Sequence, residues 1–257
     1  MTTWASPYPA LILDHRAKQK TCVIGDLHLG LETSFLRTSP LFSSFLSEET
    51  VRNVGNLTRD HDVRRLIILG DVKHSIRSFT PQERRLTRTL FRQLQESNVR
   101  VEIVRGNHDF GIESATRQFS NIHMASEAHV IVEVEGRESV MITHGHRKIR
   151  PEALEEADQL VVGHIHPCVR LTREMPEPMI LRACLEFMAS FDHHGKPMKR
   201  VTVLPAFTSL GCYLFSHTEI RKRLPTLRPL EFDTKEIMVF DLAHNFLGTL
   251  GDLQATG

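Results

Sequence analysis

Five short runs in this chain gather imidazole, carboxylate and amide side chains beside glycines. They are Gly25-Asp26-Leu27-His28, Gly70-Asp71, Gly106-Asn107-His108-Asp109, His144-Gly145-His146 and Gly163-His164-Ile165-His166. Taken alone, an Asp-x-His run has an ordinary explanation, because a polar residue at a strand end often does no more than cap the next loop. Five such runs, each after an apolar stretch, ask for more. Burying so many ionisable groups with no cation among them would cost about a few kcal/mol for each group left unpaired. The donor types narrow the ion. Imidazole, carboxylate and amide oxygen without thiolate suit divalent manganese foremost, with iron, zinc or nickel as alternatives, better than copper or a structural zinc centre. A carboxylate such as Asp71 can bridge two ions. Two ions about 3.5–4 Å apart can grip the attacking and leaving oxygens of a phosphoryl group, and a water between them becomes hydroxide near neutral pH. His144 and His146 both flank Gly145, and spacing alone does not choose between them as a ligand.

These residues need elements that bring them together. Apolar runs ending in Gly-containing turns recur at Thr21–Gly25, Arg65–Gly70, Val99–Gly106, Val140–Gly145 and Gln159–Gly163, each read as a buried strand that delivers its motif to a loop. Thr80, Pro81 and Glu83 spell a helix start with a capping box, followed by Leu86, Leu90, Phe91 and Leu94 at helical spacing. A second helix is expected over Ser47–Thr58, with Val51, Val54 and Leu57 inward. The first half therefore reads as a sheet covered by helices. In the second half Val130–Val134, Val140–Thr143, Met179–Phe187, Lys199–Leu204, Cys212–Phe215 and Glu236–Leu242 read as strands with few helices between, so a second, more antiparallel sheet is expected. Arg173–Pro178 and Phe191–Pro197 read as exposed loops.

At 257 residues the chain fits one α/β domain, and a single domain over 1–257 is expected. No apolar run reaches the roughly eighteen residues of a membrane span. Met1–Pro9 has neither a basic region nor a continuous apolar one, which predicts a cytoplasmic location and no membrane partner. Cys22, Cys168, Cys184 and Cys212 lie far apart with no paired spacing; they are expected to be reduced, with Cys22 in a core strand. A net charge of +1 offers no global attraction to nucleic acid, so such binding must come from a local patch.

Arg147, with Lys148 and Arg150, follows His144 directly and could meet a phosphate flanking the scissile one, as could His74 and His146. His74 could equally cap the segment beyond it. Arg84, Arg88 and Arg92, with Arg85 beside them, put like charges on one helix face, for which a solvated surface is the default reading. His193 and His194 read as an exposed turn, and His15, His61, His123, His129, His217 and His244 as structural. Trp4, Tyr8 and Tyr213 are the only Trp or Tyr residues, and none lies in a basic run, so no platform for stacking bases is expected.

Together the five runs, in this order, resemble the signature motifs of the calcineurin-like metallophosphoesterases, over roughly Val23–His166. The resemblance implies a four-layer αββα sandwich of two mixed sheets. It implies one metal on Asp26, His28, Asp71 and His166, and a second that shares Asp71 and adds Asn107, His144 and His164. His108 would then face the phosphate and protonate the leaving oxygen, with Asp109 holding its ring. Smaller features are similar to the SbcD-related archaeal phosphoesterases and the ligase-associated DNA-repair endonucleases of the PdeM group: Leu11–Gly30, Gly70–Ser75, Gly163–Pro167 and Val203–Phe207. Gly211-Cys212 stands where those relatives tend to have two glycines. This likeness implies phosphodiester hydrolysis in DNA or RNA by in-line attack of a metal-bridging hydroxide, in company with repair proteins. The alternatives are a phosphatase or phosphodiesterase acting on a small nucleotide or phosphomonoester, and a metal-binding scaffold without catalysis. The scaffold members of the fold tend to lack the histidine that this chain has at position 108.

Overall fold

The computed structural model describes residues 2–13, 20–35, 45–134, 138–171, 179–191, 199–214 and 219–255. The expected loop at 173–178 lies outside the described residues, as do His15, His217 and positions 192–197 of the other expected loop, with His193 and His194; Phe191, its first residue, is instead a buried strand end.

The first half builds a six-stranded sheet in the order β1 (Thr2–Trp4), β2 (Leu11–Leu13), β3 (Lys20–Ile24), β4 (Val63–Ile68), β5 (Arg100–Ile103) and β6 (Ile122–Met124). Strands β3 to β6 run parallel, and β1 and β2 add an antiparallel margin. Successive strand residues point to opposite faces, and β3 and β4 carry buried apolar side chains on both. Cys22, Ile24, Leu66, Ile68, Val101 and Ile103 join the packing of two long helices, α2 (Phe45–Asp60) and α3 (Pro81–Glu96). A short α1 (Glu32–Phe35) precedes them. Val23 and Ile67, from alternate positions, face the other way.

There they meet Val130, Val132 and Val134 of β7 (His129–Val134), Val140 and Ile142 of β8 (Glu138–Thr143) and Val161 of β9 (Gln159–Val162). These strands belong to a second sheet. Its order is β17 (Phe246–Thr249), β16 (Met238–Phe240), β12 (Cys184–Phe191), β13 (Lys199–Val203), β9, β8, β7, with β15 (Leu230–Glu231) paired to β12. Its outer face, with Met141, Leu160, Val162, Leu185 and Val201, packs under Leu154 of α5 (Pro151–Glu155), Ile220 of α6 (Ile220–Arg223) and Leu250 of α7 (Leu250–Ala255). A further short helix, α4 (Glu113–Thr116), lies beside α3. Helix, sheet, sheet, helix is thus the layer order, in agreement with the expected mixed α/β sandwich.

Two expectations are corrected. Met179–Phe187 is not one strand: β11 (Met179–Arg182) pairs with β10 (Pro167–Leu171) in a separate three-stranded sheet completed by β14 (Tyr213–Leu214). Only after the buried Ala183 does the chain enter the large sheet as β12. Nor are all four cysteines reduced. Cys168 and Cys212 form a disulfide, with Cα atoms 5.6 Å apart, whereas Cys22 and Cys184 are free and buried. The pairing joins β10 to the start of β14, a contact made by the fold that spacing along the chain does not foretell.

Candidate metal centre

The strand ends β3, β4, β8 and β9 open on one edge of the two facing sheets, and all but one of the histidine and carboxylate runs lie just beyond them; Asn107 and His108 follow β5. The turns are tight. Asp26, His28, Asp71, His164 and His166 all adopt positive φ, between 43° and 76°. Such backbone costs of order 1–3 kcal/mol per residue and persists where the surroundings enforce it, commonly at functional sites. Space is short as well: a Cβ on Gly106 would strike the Asp71 carboxylate, and one on Gly163 would come within 2.7 Å of Asp26 Oδ2. These are close-approach glycines.

Each central carboxylate is held by one oxygen and offers the other. Asp26 Oδ2 accepts the His164 amide at 2.9 Å, and its Oδ1 lies 3.2 Å from His144 Nε2 and 3.3 Å from His166 Nε2. Asp71 Oδ1 accepts the His108 amide at 2.8 Å, while its Oδ2 lies 3.3 Å from His144 Nε2 and 3.6 Å from His28 Nε2. Ligand atoms of Asp26, His28 and His166 converge within 4.8 Å of one another, as do those of Asp71, His144 and His164. Asp71 Oδ2 therefore lies between the two groups.

Charge follows from this crowding. Burial disfavours the ionised Asp26 and Asp71, but the neighbouring imidazoles outweigh it and hold both carboxyls below their usual range. Burial likewise opposes a charged His144, yet Asp71 and Asp26 push it up to about 10. Burial lowers His28 to about 3 and His164 to about 4, helped by His166 and His144 respectively. Protein groups alone thus leave some imidazoles charged and others neutral within one cluster.

Three details fit cations in this cluster. The His166 Nδ1–H donates to the Gly211 carbonyl at 2.8 Å, so in the neutral ring Nε2 is left as a lone pair, and it lies 3.1 Å from His28 Nε2. Such an outer hydrogen bond sets the tautomer of a metal-binding histidine. Asn107 Oδ1 is buried with no hydrogen-bond partner, an orphan acceptor of the kind that a cation satisfies. The donors are oxygen and imidazole nitrogen throughout, as divalent Mn, Fe or Zn prefers.

His108 is placed differently. Its ring packs edge-on to His28, with centroids 4.8 Å apart, and its Nε2 lies 3.9 Å from Asp71 Oδ2 on the wall of a cavity of about 470 Å³. Asp109 does not hold that ring. Its carboxylate accepts the backbone amides of Asp71, Val72 and Gly106 at 2.8–2.9 Å, and burial, then the Asp71 charge, raises it to about 6. The ring partner is the His74 carbonyl, which accepts from His108 Nδ1. His74 itself stacks on His108 at 5.4 Å. Behind them, buried Lys73 donates to the carbonyls of Ser75, Ser78 and His108 and ties the two loops.

His74 and His146 line the cavity; Arg147 does not, and its Nε donates instead to His146 Nε2 at 3.1 Å. His146 in turn meets His144, Nδ1 to Nδ1, at 2.9 Å. The cavity is also lined by Tyr213, Lys222 and Arg223, none of them among the site residues expected from sequence. Tyr213 lies in no basic run, but the fold sets β14 against α6 and supplies one. The feared repulsion on α3 is also absorbed locally: Arg84 donates to the Phe79 carbonyl and Ser114 Oγ, and Arg85 pairs with Glu48.

Residues 20–176 match the family model described as the calcineurin-like phosphoesterase superfamily domain, well over half of the chain. The chain belongs to that superfamily. It is accordingly a metal-dependent phosphoesterase. Among solved structures it is similar to the nuclease MPE of Pseudomonas putida, at 17% identity over 94% of this chain and 96% of that one, with a TM-score of 0.54. YfcE, a phosphoesterase from E. coli, gives 18% identity, 89% and 96% coverage and a TM-score of 0.44. At such identities the first likeness speaks for the fold. No curated protein matches the chain.

Proposed function

We propose that this calcineurin-like phosphoesterase hydrolyses phosphodiester bonds in nucleic acid with two divalent ions, manganese foremost. The reading is carried by one observation: Asp71 Oδ2 lies 3.6 Å from His28 Nε2 of one ligand group and 3.3 Å from His144 Nε2 of the other, with His108 beside them on the cavity wall. One site would take Asp26, His28, Asp71 and His166, and the other Asp71, Asn107, His144 and His164. When bound, the ions would acidify a water for in-line attack and neutralise the phosphoryl oxygens. The protein's own part is positional. Asp26 and Asp71, each fixed by a backbone amide, hold their free oxygens still, and the Gly211 carbonyl fixes the His166 tautomer.

His108 then serves the leaving oxygen. Its Nδ1–H is committed to the His74 carbonyl, so in the doubly protonated ring Nε2–H is the group that would deliver a proton to the departing alkoxide, leaving the neutral imidazole. That His is present speaks against a scaffold that has lost catalysis. A cytoplasmic, DNA-repair setting belongs to the same reading. The Cys168–Cys212 bridge is uncommon in such a compartment, and alkylation of thiols in whole cells tests it directly.

The experiment that tests the function compares an alkyl aryl phosphodiester, an aryl phosphomonoester, single-stranded DNA and duplex plasmid, each with Mn, Ni, Zn or Mg. We expect the diesters to be cut and Mn to serve best. Turnover of the monoester alone would replace this reading with a small-phosphomonoester phosphatase.

A further inference from the structure

The cavity that His108 lines also carries side chains that the metal chemistry does not need. Tyr213 is 52% exposed, and its ring lies 5.7 Å from that of His166, inclined by 37°. It is firmly seated. Its amide donates to the His166 carbonyl at 3.0 Å, β14 pairs with β10 in parallel, and the neighbouring Cys212 is bonded to Cys168. The Arg223 guanidinium stands 6.0 Å from the centre of the tyrosine ring and pairs with Glu219 at 3.4 Å. Lys222, also exposed, lines the same cavity.

A phosphoryl group held at the ligand cluster would fill only part of a cavity of about 470 Å³. Cavities of roughly 300–1,000 Å³ enclose whole small ligands. The remaining room is bounded by an aromatic face and two cations, the pairing that proteins use for a base and its backbone phosphate. We propose that Tyr213, Lys222 and Arg223 form a subsite for the nucleotide next to the scissile phosphate, the base stacking on Tyr213 and the flanking phosphate meeting Lys222 and Arg223. This deepens, and rests on, the phosphodiesterase reading above. A base can lie on Tyr213 only when it is unstacked from its own strand, so the subsite selects single-stranded or locally opened nucleic acid over an intact duplex. Arginine suits the place, since its planar guanidinium meets phosphate with paired donors.

The test uses the full chain with Mn and two substrates: a thymidine oligonucleotide, and an oligomer of the same length with abasic residues. Methyl p-nitrophenyl phosphate is the small reference diester. For the wild type, the oligonucleotide should be favoured over the abasic strand. In Tyr213→Ala the ratio of kcat/KM for oligonucleotide over reference diester should fall about ten-fold or more, as expected for one lost base stack. Tyr213→Phe should keep most of that ratio. Binding of the labelled oligonucleotide, followed by fluorescence anisotropy with Ca in place of Mn, gives a readout apart from turnover. There the double variant Lys222→Gln/Arg223→Gln, on an exposed helix, should lower the slope of log Kd against log salt by about 0.7, the value for one phosphate contact on a single strand. Equal handling of thymidine and abasic strands, or ratios and slopes unchanged in both variants, would overturn the subsite while leaving the diesterase reading intact. No turnover of any diester by the wild type would overturn both.

Discussion

Replacing the His108 imidazole separates holding the ions from using them. His108 Nε2 stands 3.9 Å from Asp71 Oδ2, and His108 converges with His28 and His74 but belongs to neither group that contains a carboxylate, whereas Asp71 Oδ2 lies between those two. His108→Ala should therefore keep its bound metal and lose about 10²–10⁴-fold in kcat, the scale of a lost general acid. Asp71→Asn should lose metal as well, which elemental analysis of dialysed protein will report. An unchanged rate in His108→Ala would mean that the leaving oxygen finds its proton elsewhere. Asp109 makes a different prediction from the one its position beside His108 suggests. Its carboxylate serves three buried amides, and donors left unpaired cost about 1–3 kcal/mol each. Asp109→Ala should thus lower stability by several kcal/mol, seen as an earlier urea midpoint. Full stability with kcat lowered as far as in His108→Ala would instead restore the carboxylate to the histidine ring.

At the scale of elements, the sequence was legible wherever a local rule decides. The capping box at Thr80 and Glu83 forms as spelled, with Thr80 Oγ1 accepting from the Glu83 amide at 3.2 Å and Glu83 Oε2 accepting from the Thr80 amide at 2.8 Å. The second Glu83 oxygen accepts the Ser75 amide at 2.6 Å and so anchors the loop that carries His74, a use no helix rule foretells. The five strands that deliver motifs were readable because apolar runs end at glycine. What escaped were contacts between distant segments: the Ala183 change of sheet, Tyr213 beside α6, the carbonyl that holds His108, and the Cys168–Cys212 bridge. That bridge carries its own prediction. It closes a loop across 44 residues and pins Gly211, whose carbonyl orients His166. Chain entropy sets its worth at about 4 kcal/mol, with measured values nearer 2–4. Cys168→Ser/Cys212→Ser should melt earlier by that amount and bind Mn more weakly. In the native protein Cys22 and Cys184 should resist alkylation, since burial pushes Cys22 up to about 12 and Cys184 also upward. Urea alone should expose two thiols, and urea with reductant four. Four thiols without reductant would show that the bridge does not form.

Across the whole molecule, the candidate metal centre sits where the two sheets meet, and its proposed ligands come from both. Asp26 and Asp71 follow β3 and β4 of the first sheet, while His144, His164 and His166 follow β8 and β9 of the second. Between the sheets lie aliphatic side chains such as Val23, Ile67, Val132 and Val161, which are non-directional glue. The ligand cluster is the directional join at this edge. Without ions, the Asp26 and Asp71 charges draw on His144 and His166, imidazoles whose charging burial opposes. We accordingly expect the chain to unfold as one unit, with a single calorimetric transition that rises on adding Mn and falls with EDTA. At a free metal concentration about a hundred times Kd, the gain is about 2.7 kcal/mol for one site. The shift must also track the ligands and not the catalytic group. His166→Ala should abolish most of it and His108→Ala should keep it. Two separate transitions, with only one responding to metal, would mean that the sheets unfold independently and that the ions join nothing.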